Sequence, residues 1–364
     1  MTWLEVNLSE VADVQWGNTS ITKASYVDKG FPAFSATGND GYVEHAEHNV
    51  DGIVLSAIGA RCGKCFLASG KWTAIKNTIT IVPNPSKIHL KYLYVILNDE
   101  KSWLTKGAAQ PFITLGIARN RKIPLPPLAE QKRIAALLDT ADNIMRLREQ
   151  AIAKLDELAQ SIFVDMFDEL ISSSSKTVND FFEVNVNRYE TNLKDTDDVA
   201  FVPMSAVSEI SKSIENEEIR TYSEVKKGYT PIKRGDLIVA KITPCYENGK
   251  QAIANVSTQF AYGSTEFHTF RSSNKDLVTL LYYYLQTYNV KREGAANMKG
   301  AAGQRRVPDS FFKSLPFVQP NASDLNKFGA FIGMQKKSRA EQVKQLEVIR
   351  NTIKSLQHQS FAVN

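Results

Sequence analysis

The chain has 364 residues, of which 43% are hydrophobic and 23% charged, with 19 Gly, 13 Pro and 3 Cys. That length suggests two or three domains, the composition excludes wholesale disorder, and three cysteines cannot close the disulfide set of a stapled secreted scaffold. A formal net charge of +5 permits a nucleic-acid partner without demanding one.

The first residues, Met1-Thr2-Trp3-Leu4-Glu5, show no basic region leading into an apolar run. No stretch reaches the ~18 apolar residues of a membrane helix. A reducing, cytoplasmic setting and no membrane contact are expected. The first strand-like run is Asp51–Ile58, closed by Gly63-Lys64. Thr78–Val82 is a second, rich in β-branched residues, and a helix is expected near Leu90–Asn98. Gly107-Ala108-Ala109-Gln110 and the prolyl stretch Ile123-Pro124-Leu125-Pro126-Pro127 follow. Prolines suit a helix entrance, where a missing N–H costs nothing, and a long helix is predicted from about Leu128 to Leu170. Leu137, Ala141, Ile144, Leu147, Ala151, Leu155, Leu158 and Ile162 step by three and four and define its apolar stripe. At 1.5 Å per residue such a helix is roughly 60 Å long, too long for a compact domain and suited to a coiled-coil arm.

The same signals then return. After Ser172-Ser173-Ser174-Ser175, read as a flexible joint, come Gly235–Ile242 with Gly249-Lys250, the strand-like Phe267–Phe270 and a helix near Asp276–Tyr288. Next are Gly300-Ala301-Ala302-Gly303-Gln304, Ser314-Leu315-Pro316-Phe317-Val318, and a second long helix from about Ala322 to Gln359. Its stripe is Phe328, Ile332, Ala340, Val343, Leu346, Ile349, Ile353 and Leu356, interrupted by Lys336-Lys337-Ser338-Arg339, which sets its first turns apart. Three landmarks in one order, offset by about 185–195 residues, indicate an internal duplication. The first arm holds 5 Lys/Arg and 9 Asp/Glu, the second 7 and 3, so their opposite charges favour pairing with each other. The regions before each arm read as irregular α+β domains.

Catalytic signatures are missing from the sequence. It has no G-x-G-x-x-G after a strand, no Walker P-loop, no G-x-S-x-G elbow, no Asn-Pro-Pro-aromatic tetrapeptide and no Asp…Glu-x-Lys cluster on a strand. A non-catalytic binding protein is the expectation. Cys62-Gly63-Lys64-Cys65 could hold zinc together with His45 and His48. The matching Asn248-Gly249-Lys250 has no cysteine pair, so Cys62 and Cys65 are read as small residues in a turn and no metal is expected. Arg61, Lys64, Lys76 and Asn77 flank the runs of the first half. Lys241, Asn248, Lys250 and Gln304-Arg305-Arg306, with Lys299 nearby, flank those of the second. Arg forks onto guanine, Asn or Gln onto adenine, and Lys reaches phosphates. Singly each is an ordinary surface residue; repeated at matching places in both halves, the set favours DNA contact.

At Ile123-Pro124-Leu125-Pro126-Pro127-Leu128-Ala129-Glu130-Gln131-Lys132-Arg133-Ile134 the sequence resembles the specificity (S) subunit of type I restriction–modification systems, whose first conserved helix opens with an I-P-L-P-P-x-x-E-Q-x-x-I pattern. Gly107–Pro111 resembles the segment before that entrance. Gly235–Pro244, Glu247–Lys250 and Gly263–Phe267 are similar to the core of one target-recognition-domain subtype. The second entrance, Leu315–Pro320, lacks the Glu-Gln pair, and the first domain lacks an equivalent of Thr243–Asn248. The two domains are therefore expected to read different sequences.

The resemblance implies an α+β chain with two globular α/β target-recognition domains, 1–127 and 172–319. They are separated by two long helices, 128–171 and 320–364, packed as an antiparallel coiled coil with a pseudo-two-fold repeat. It implies double-stranded DNA as ligand, each domain reading half of a bipartite asymmetric site. The implied partners are two modification (methyltransferase) and two restriction (translocase and nuclease) subunits. S-adenosylmethionine, ATP and Mg would sit on those partners and no cofactor on this chain. Candidate DNA contacts are Arg61, Lys64, Lys76, Asn77, Thr78 and Gln110 in the first domain. In the second they are Lys241, Thr243, Asn248, Lys250, Thr265, Gln304, Arg305 and Arg306. Pro124, Pro126, Pro127, Glu130 and Gln131 are assigned to the helix entrance or a partner subunit. The alternatives are the recognition subunit of a type IIB-like restriction–methylation enzyme, a helical scaffold protein that binds no DNA, and a stand-alone enzyme that binds S-adenosylmethionine itself.

Overall fold

The computed structural model describes residues 3–107, 110–187, 192–209, 211–301 and 303–361, with only the backbone of 357–361. The chain forms two compact units, residues 1–149 with 344–364, and residues 150–343.

The first unit begins with β1 (Glu5–Asn7), α1 (Leu8–Val11), β2 (Ala12–Trp16), β3 (Phe31–Ser35), β4 (Gly38–Val43), β5 (His48–Asn49) and β6 (Gly52–Ser56). It continues through β7 (Cys65–Ala68), β8 (Lys71–Ala74), β9 (Thr78–Pro83), α2 (Leu90–Leu97), α3 (Leu115–Arg119) and β10 (Lys122–Pro124) into α4 (Leu128–Ser172). Two four-stranded sheets run β2-β9-β6-β7 and β4-β3-β8-β5, and β1 pairs with β10. β6 is buried along its whole length, which is why it reads as an unbroken apolar run. Its Ile53 and Leu55 pack with Ile79 and Ile81 of β9, Tyr92 and Leu93 of α2, and Ile134 and Leu138 of α4. Each such side chain contributes roughly 1.5–3 kcal/mol on burial.

The second unit holds β11 (Glu183–Val184), β12 (Asp198–Val202), β13 (Glu218–Thr221), α5 (Tyr222–Val225), β14 (Thr230–Lys233), β15 (Leu237–Ala240) and β16 (Gln251–Ile253). Then follow β17 (Phe260–Gly263), β18 (Phe267–Arg271), α6 (Lys275–Leu285), α7 (Tyr288–Ala296), α8 (Asp309–Ser314) and the start of α9 (Ala322–Phe361). Its sheets run β11-β18-β15-β16 and β13-β12-β17-β14. These are the orders of the first unit, strand for strand. Even the single parallel pairing in each second sheet, β3 with β8, recurs as β12 with β17. The duplication expected from three short landmarks is thus a duplication of topology.

Opposite charges do pair the long helices inside each unit. In the first, Arg350 Nη2 donates to Glu149 Oε1 at 3.0 Å, and Ile349 and Ile353 join the core with Leu138 and Met145. In the second, Asp156 accepts from Gln335 Nε2 (3.0 Å) and Arg339 Nε (3.1 Å), while Phe163 and Phe167 pack on Phe328. Residue numbers rise on one helix as they fall on the other, so the pairing is antiparallel. Arg339, from the polar stretch expected to interrupt the second arm, is the residue that reaches Asp156, and α9 continues through it.

Two expectations need correction. The buried face of α4 is Ile134, Leu138, Ile152, Ala159, Phe163, Phe167 and Ile171. Leu137, Ile144, Leu147 and Leu158 of the expected stripe are 39–51% exposed. Ala340 of the second stripe is also exposed. The apolar arc of α4 is wider than one seam, and spacing alone favours neither edge. The serine run is not a loose joint either. Ser172 ends α4, and Ser174 Oγ donates to the Phe317 carbonyl at 2.7 Å and accepts from Lys176 N–H, pinning the chain where it leaves the helix.

Candidate nucleic-acid interface

In the first unit, the chain leaving β6 is held by three backbone bonds. Ala57 N–H donates to the Asn77 carbonyl (3.0 Å), Ile113 N–H to the Ala57 carbonyl (2.8 Å) and Gly59 N–H to the Pro111 carbonyl (3.0 Å). Lys106 and Phe112 exchange two further bonds and close a short loop that carries Gln110. In the second unit, Lys241 N–H donates to the Glu266 carbonyl (2.9 Å), Val307 N–H to the Lys241 carbonyl (2.9 Å) and Thr243 N–H to the Arg305 carbonyl (3.0 Å). Lys299 and Arg306 exchange the matching pair of bonds around the loop that carries Gln304. The two frames coincide bond for bond, yet their side chains differ. Ala57, Gly59, Asn77, Pro111 and Phe112 stand where Lys241, Thr243, Glu266, Arg305 and Arg306 stand.

The first frame brings Arg61, Lys76, Asn77 and Gln110 to one edge, all exposed. Arg61 Nη1 lies 3.3 Å from the Thr37 carbonyl. Asn77 has φ +71°, the left-handed conformation Asn tolerates in a tight turn. Lys64 is diverted, facing Glu100 at 3.7 Å. Thr78 is fully buried, its Oγ1 donating to the Ile75 carbonyl at 2.6 Å. It closes a turn and has no free face for DNA.

In the second frame Lys241, Thr243, Thr265, Gln304, Arg305 and Arg306 gather at the end of β15. Thr265, Gln304 and Arg305 are exposed. Arg305 Nη2 donates to the Ala295 carbonyl at 3.0 Å, leaving other donors of its fork open. Arg306 is clamped by Glu266 through Nε and Nη2 (2.7–3.1 Å), which holds the Glu266 carboxyl below its ordinary pKa. Thr243 Oγ1 donates to Glu247 (3.0 Å). Asn248 and Lys250 lie further along the turn and are engaged. Asn248 Nδ2 donates to Glu209 (3.1 Å), and the mostly covered Lys250 Nζ donates to the Met204 carbonyl (3.2 Å). Thr78, Lys64, Lys250 and Arg306 are therefore already used by the fold, Thr78 within its own turn and the other three through partners distant in sequence.

The cysteines form no ligand set. Cys62 donates to the Ala57 carbonyl and Cys65 to the Leu97 carbonyl, and burial pushes the Cys65 thiol up to about 12. Among the described residues no group of three or more His, Cys, Asp or Glu is placed to hold a metal. His48 instead stacks on Trp72, ring centroids 4.1 Å apart.

The helix-entrance motif is structural in detail. Pro124 ends β10 against Glu5 of β1, Pro126 is buried and Pro127 exposed. Gln131 is fully buried; its Oε1 accepts His89 N–H (2.8 Å) and its Nε2 donates to the Pro126 (2.8 Å) and Lys87 (3.2 Å) carbonyls. Glu130 forms a forked pair with Arg133 at the surface. The second entrance uses a local cap instead, Asn321 Oδ1 accepting Asp324 N–H at 2.9 Å. Sequence reading missed Gln131 as a clamp and Glu266 as the holder of Arg306. A buried amide beside a prolyl turn was the only available signal for the first.

Residues 1–157 match the family model of the type I restriction modification DNA specificity domain. The type I restriction enzyme EcoEI specificity subunit of Escherichia coli is 38% identical over 144 residues, covering 38% of this chain and 24% of that protein. The EcoAI specificity subunit of the same species is 37% identical over 129 residues, 35% of this chain and 22% of that one. The matched stretch is thus about a quarter of the length of these relatives. Over the whole chain the fold is that of the type I S subunit from M. genitalium, with TM-score 0.58 at 14% identity, covering 100% of this chain and 96% of that one. A chain solved for the structural basis of complex assembly and conformational transition of the type I R-M system gives TM-score 0.58 at 13% identity, covering 99% and 97%. Residues 1–157 are thus similar to the type I restriction modification DNA specificity domain, and the chain as a whole shares the fold of these solved S subunits.

Proposed function

We propose that this chain is the DNA-recognition subunit of a type I restriction–modification complex. Each unit reads one half of a bipartite, asymmetric site. The observation that carries this reading is the bond-for-bond repetition of one backbone frame bearing two different sets of side chains. One scaffold presented twice with different chemistry suits a reader of two unlike half-sites. Arg61, Lys76, Asn77 and Gln110 serve the first half, and Lys241, Thr265, Gln304 and Arg305 the second. Arg306 and Thr243 act behind them as positioning residues.

The chain itself does no chemistry in this reading. It places two modification subunits, which must flip an adenine out of the duplex to methylate it. S-adenosylmethionine, ATP and Mg belong to the modification and restriction partners. Support for such partners comes from α4, whose Leu137, Ile144 and Leu147 share one face of the helix in the first unit and stay exposed. Contiguous apolar exposure of this kind marks a protein interface. No helix among the described residues is long and apolar enough to cross a membrane, in keeping with work on DNA in the cytoplasm. Genome-wide mapping of methylated adenine with and without the gene tests the reading. One bipartite motif should lose its methylation when the gene is removed, and an unchanged methylome would sink it.

A further inference from the structure

A cleft of about 670 Å³ in the first unit joins the base of the loop that carries Gln110 to the strand leading into α4. Lys106 and Thr114, which flank that loop, line it together with Arg121 and Lys122, which enter β10. Its volume lies within the roughly 300–1,000 Å³ of binding clefts. Apolar surface comes from Trp103, Ile117 and Leu104, the last 78% exposed. Among the described residues that line it, none is acidic.

The fold does not require these cations. Leu8 N–H donates to the Arg121 carbonyl and Val178 N–H to the Leu315 carbonyl, both at 2.9 Å, so the buried Leu315 stands in the place of Arg121 in the second unit. Asn7 pairs with Lys122 as Thr177 does with Pro316, so an uncharged residue stands for Lys122 as well. The Arg121 guanidinium lies 4.0 Å from the Trp103 ring centre. It donates to the carbonyls of Ile96 (3.1 Å) and Ser102 (3.2 Å) and to Ser102 Oγ (2.6 Å). Those bonds use three of its five donors. Among the described residues no carboxylate forms an ion pair with Arg121, Lys106 or Lys122. Burial lowers the pKa of Arg121, against the pull of Asp99 from beyond ion-pair distance. A covered cation without a counter-charge is relieved by an anion.

We propose that this cleft is a docking site for an acidic segment of a partner protein, whose carboxylate meets Arg121 and Lys122 while a neighbouring apolar side chain packs on Leu104 and Ile117. A carboxylate matches the fork of an arginine, and the apolar lining asks for a body that is not charged. A duplex answers only the first demand, since its bases stay stacked and it presents phosphates to the cleft. The second unit, with Leu315 and Pro316, lacks the charges that would hold such a segment. The proposal goes beyond the DNA-recognition reading and stands without it. It places a partner in contact with both the recognition loop and the entrance to the long helix.

The test is photo-cross-linking of the full chain in its own cells, with Leu104 replaced by the photo-reactive p-benzoylphenylalanine. Mass spectrometry of the cross-linked peptides should find one protein segment that carries Asp or Glu beside an aliphatic or aromatic residue. Lys122→Glu should cut the cross-link yield by about tenfold, through like charges brought together. Arg121→Leu, which copies the second unit, should lower it likewise. Replacing the captured acidic residue by its amide should lower the yield of the parent and leave that of Lys122→Glu no lower, the mark of two groups in direct contact. Melting followed by circular dichroism should show Lys122→Glu as folded as the parent, since the exposed ammonium has no ion pair to lose. Cross-links to DNA alone would overturn the proposal in favour of a nucleic-acid surface. No cross-link, a segment without a carboxylate, or yields indifferent to Lys122→Glu would overturn it too, and each leaves the DNA-recognition reading standing.

Discussion

The turns Gly63-Lys64 and Gly249-Lys250 follow matching strands and have opposite characters. The first is shut, with Lys64 meeting Glu100, Gly63 against Trp103, and the Arg121 guanidinium lying 4.0 Å from the Trp103 ring centre. The second is crowded instead by polar side chains, with Gln286, Lys212 and Lys291 drawn in around Gly249. Duplication has kept the backbone path and the glycine, since both positions have positive φ. It has not kept the electrostatics, which are set by residues arriving from other elements. The two units are therefore one fold with two chemistries.

The sharpest way to separate them is through their buried charges. Asp236 is 2% exposed and accepts from Arg271 at 2.8 and 2.6 Å, whereas the matching residue in the first unit is Gly52, tucked beside Trp72. Asp236→Ala should destabilise the second unit by roughly 3–5 kcal/mol, because it strips a buried guanidinium of its carboxylate. All four tryptophans, Trp3, Trp16, Trp72 and Trp103, lie in the first unit. The denaturation midpoint by circular dichroism should therefore fall while the tryptophan fluorescence midpoint holds; joint movement of both would refute independent units. The helix entrances invert this pattern. Gln131→Ala should cost roughly 1–3 kcal/mol, read by tryptophan fluorescence, since three backbone groups lose a partner out of reach of water. Asn321→Ala, the loss of a surface cap, should cost only about 1 kcal/mol.

Recognition offers the next comparison. Arg305 occupies the place of Pro111, so, on the DNA-recognition proposal, Arg305→Ala should relax one half-site and leave the other half intact. Adenine methylation mapping would show this as degeneracy confined to one side of the motif. The loss should be about 1–3 kcal/mol if Arg305 reads a base, and uniform over all sites if it holds a phosphate. The smallest effect is in pH. Lys212 is held to about 8 in the folded chain and returns to its ordinary, higher value on unfolding. Between those values the unfolded chain binds more protons, so this lysine's contribution to stability rises as pH increases through that window and is level below it. Lys212→Met should remove that rise from the difference between parent and variant stability curves.

Much of the architecture was legible in the residues. Long stretches with regular apolar spacing gave the two helices, and runs such as Ile53-Val54-Leu55 gave the central strands. Three short matches were enough to find the repeat. The buried edge of α4 was not legible, because Leu137 and Leu138 are equally apolar neighbours and only the partner helix decides between them. The candidate site was half legible. Residue type and position in the turns pointed to Arg305, Gln304, Asn77 and Gln110, which the structure places on the two frames. Nothing local reveals that Glu266 holds Arg306 or that Glu100 meets Lys64. Each of these assignments depends on a chain crossing that the one-dimensional pattern does not contain.

The two frames are built wholly from main-chain N–H and carbonyl groups. Such a lattice is indifferent to the side chains it displays, apart from a need for left-handed turns at a few points. Exchanges at positions such as 111 and 305, which lie outside those left-handed turns, can therefore alter the chemistry displayed at little expense in folding. For this molecule the freedom to vary those side chains is a property of its hydrogen bonds, which the main chain makes without them.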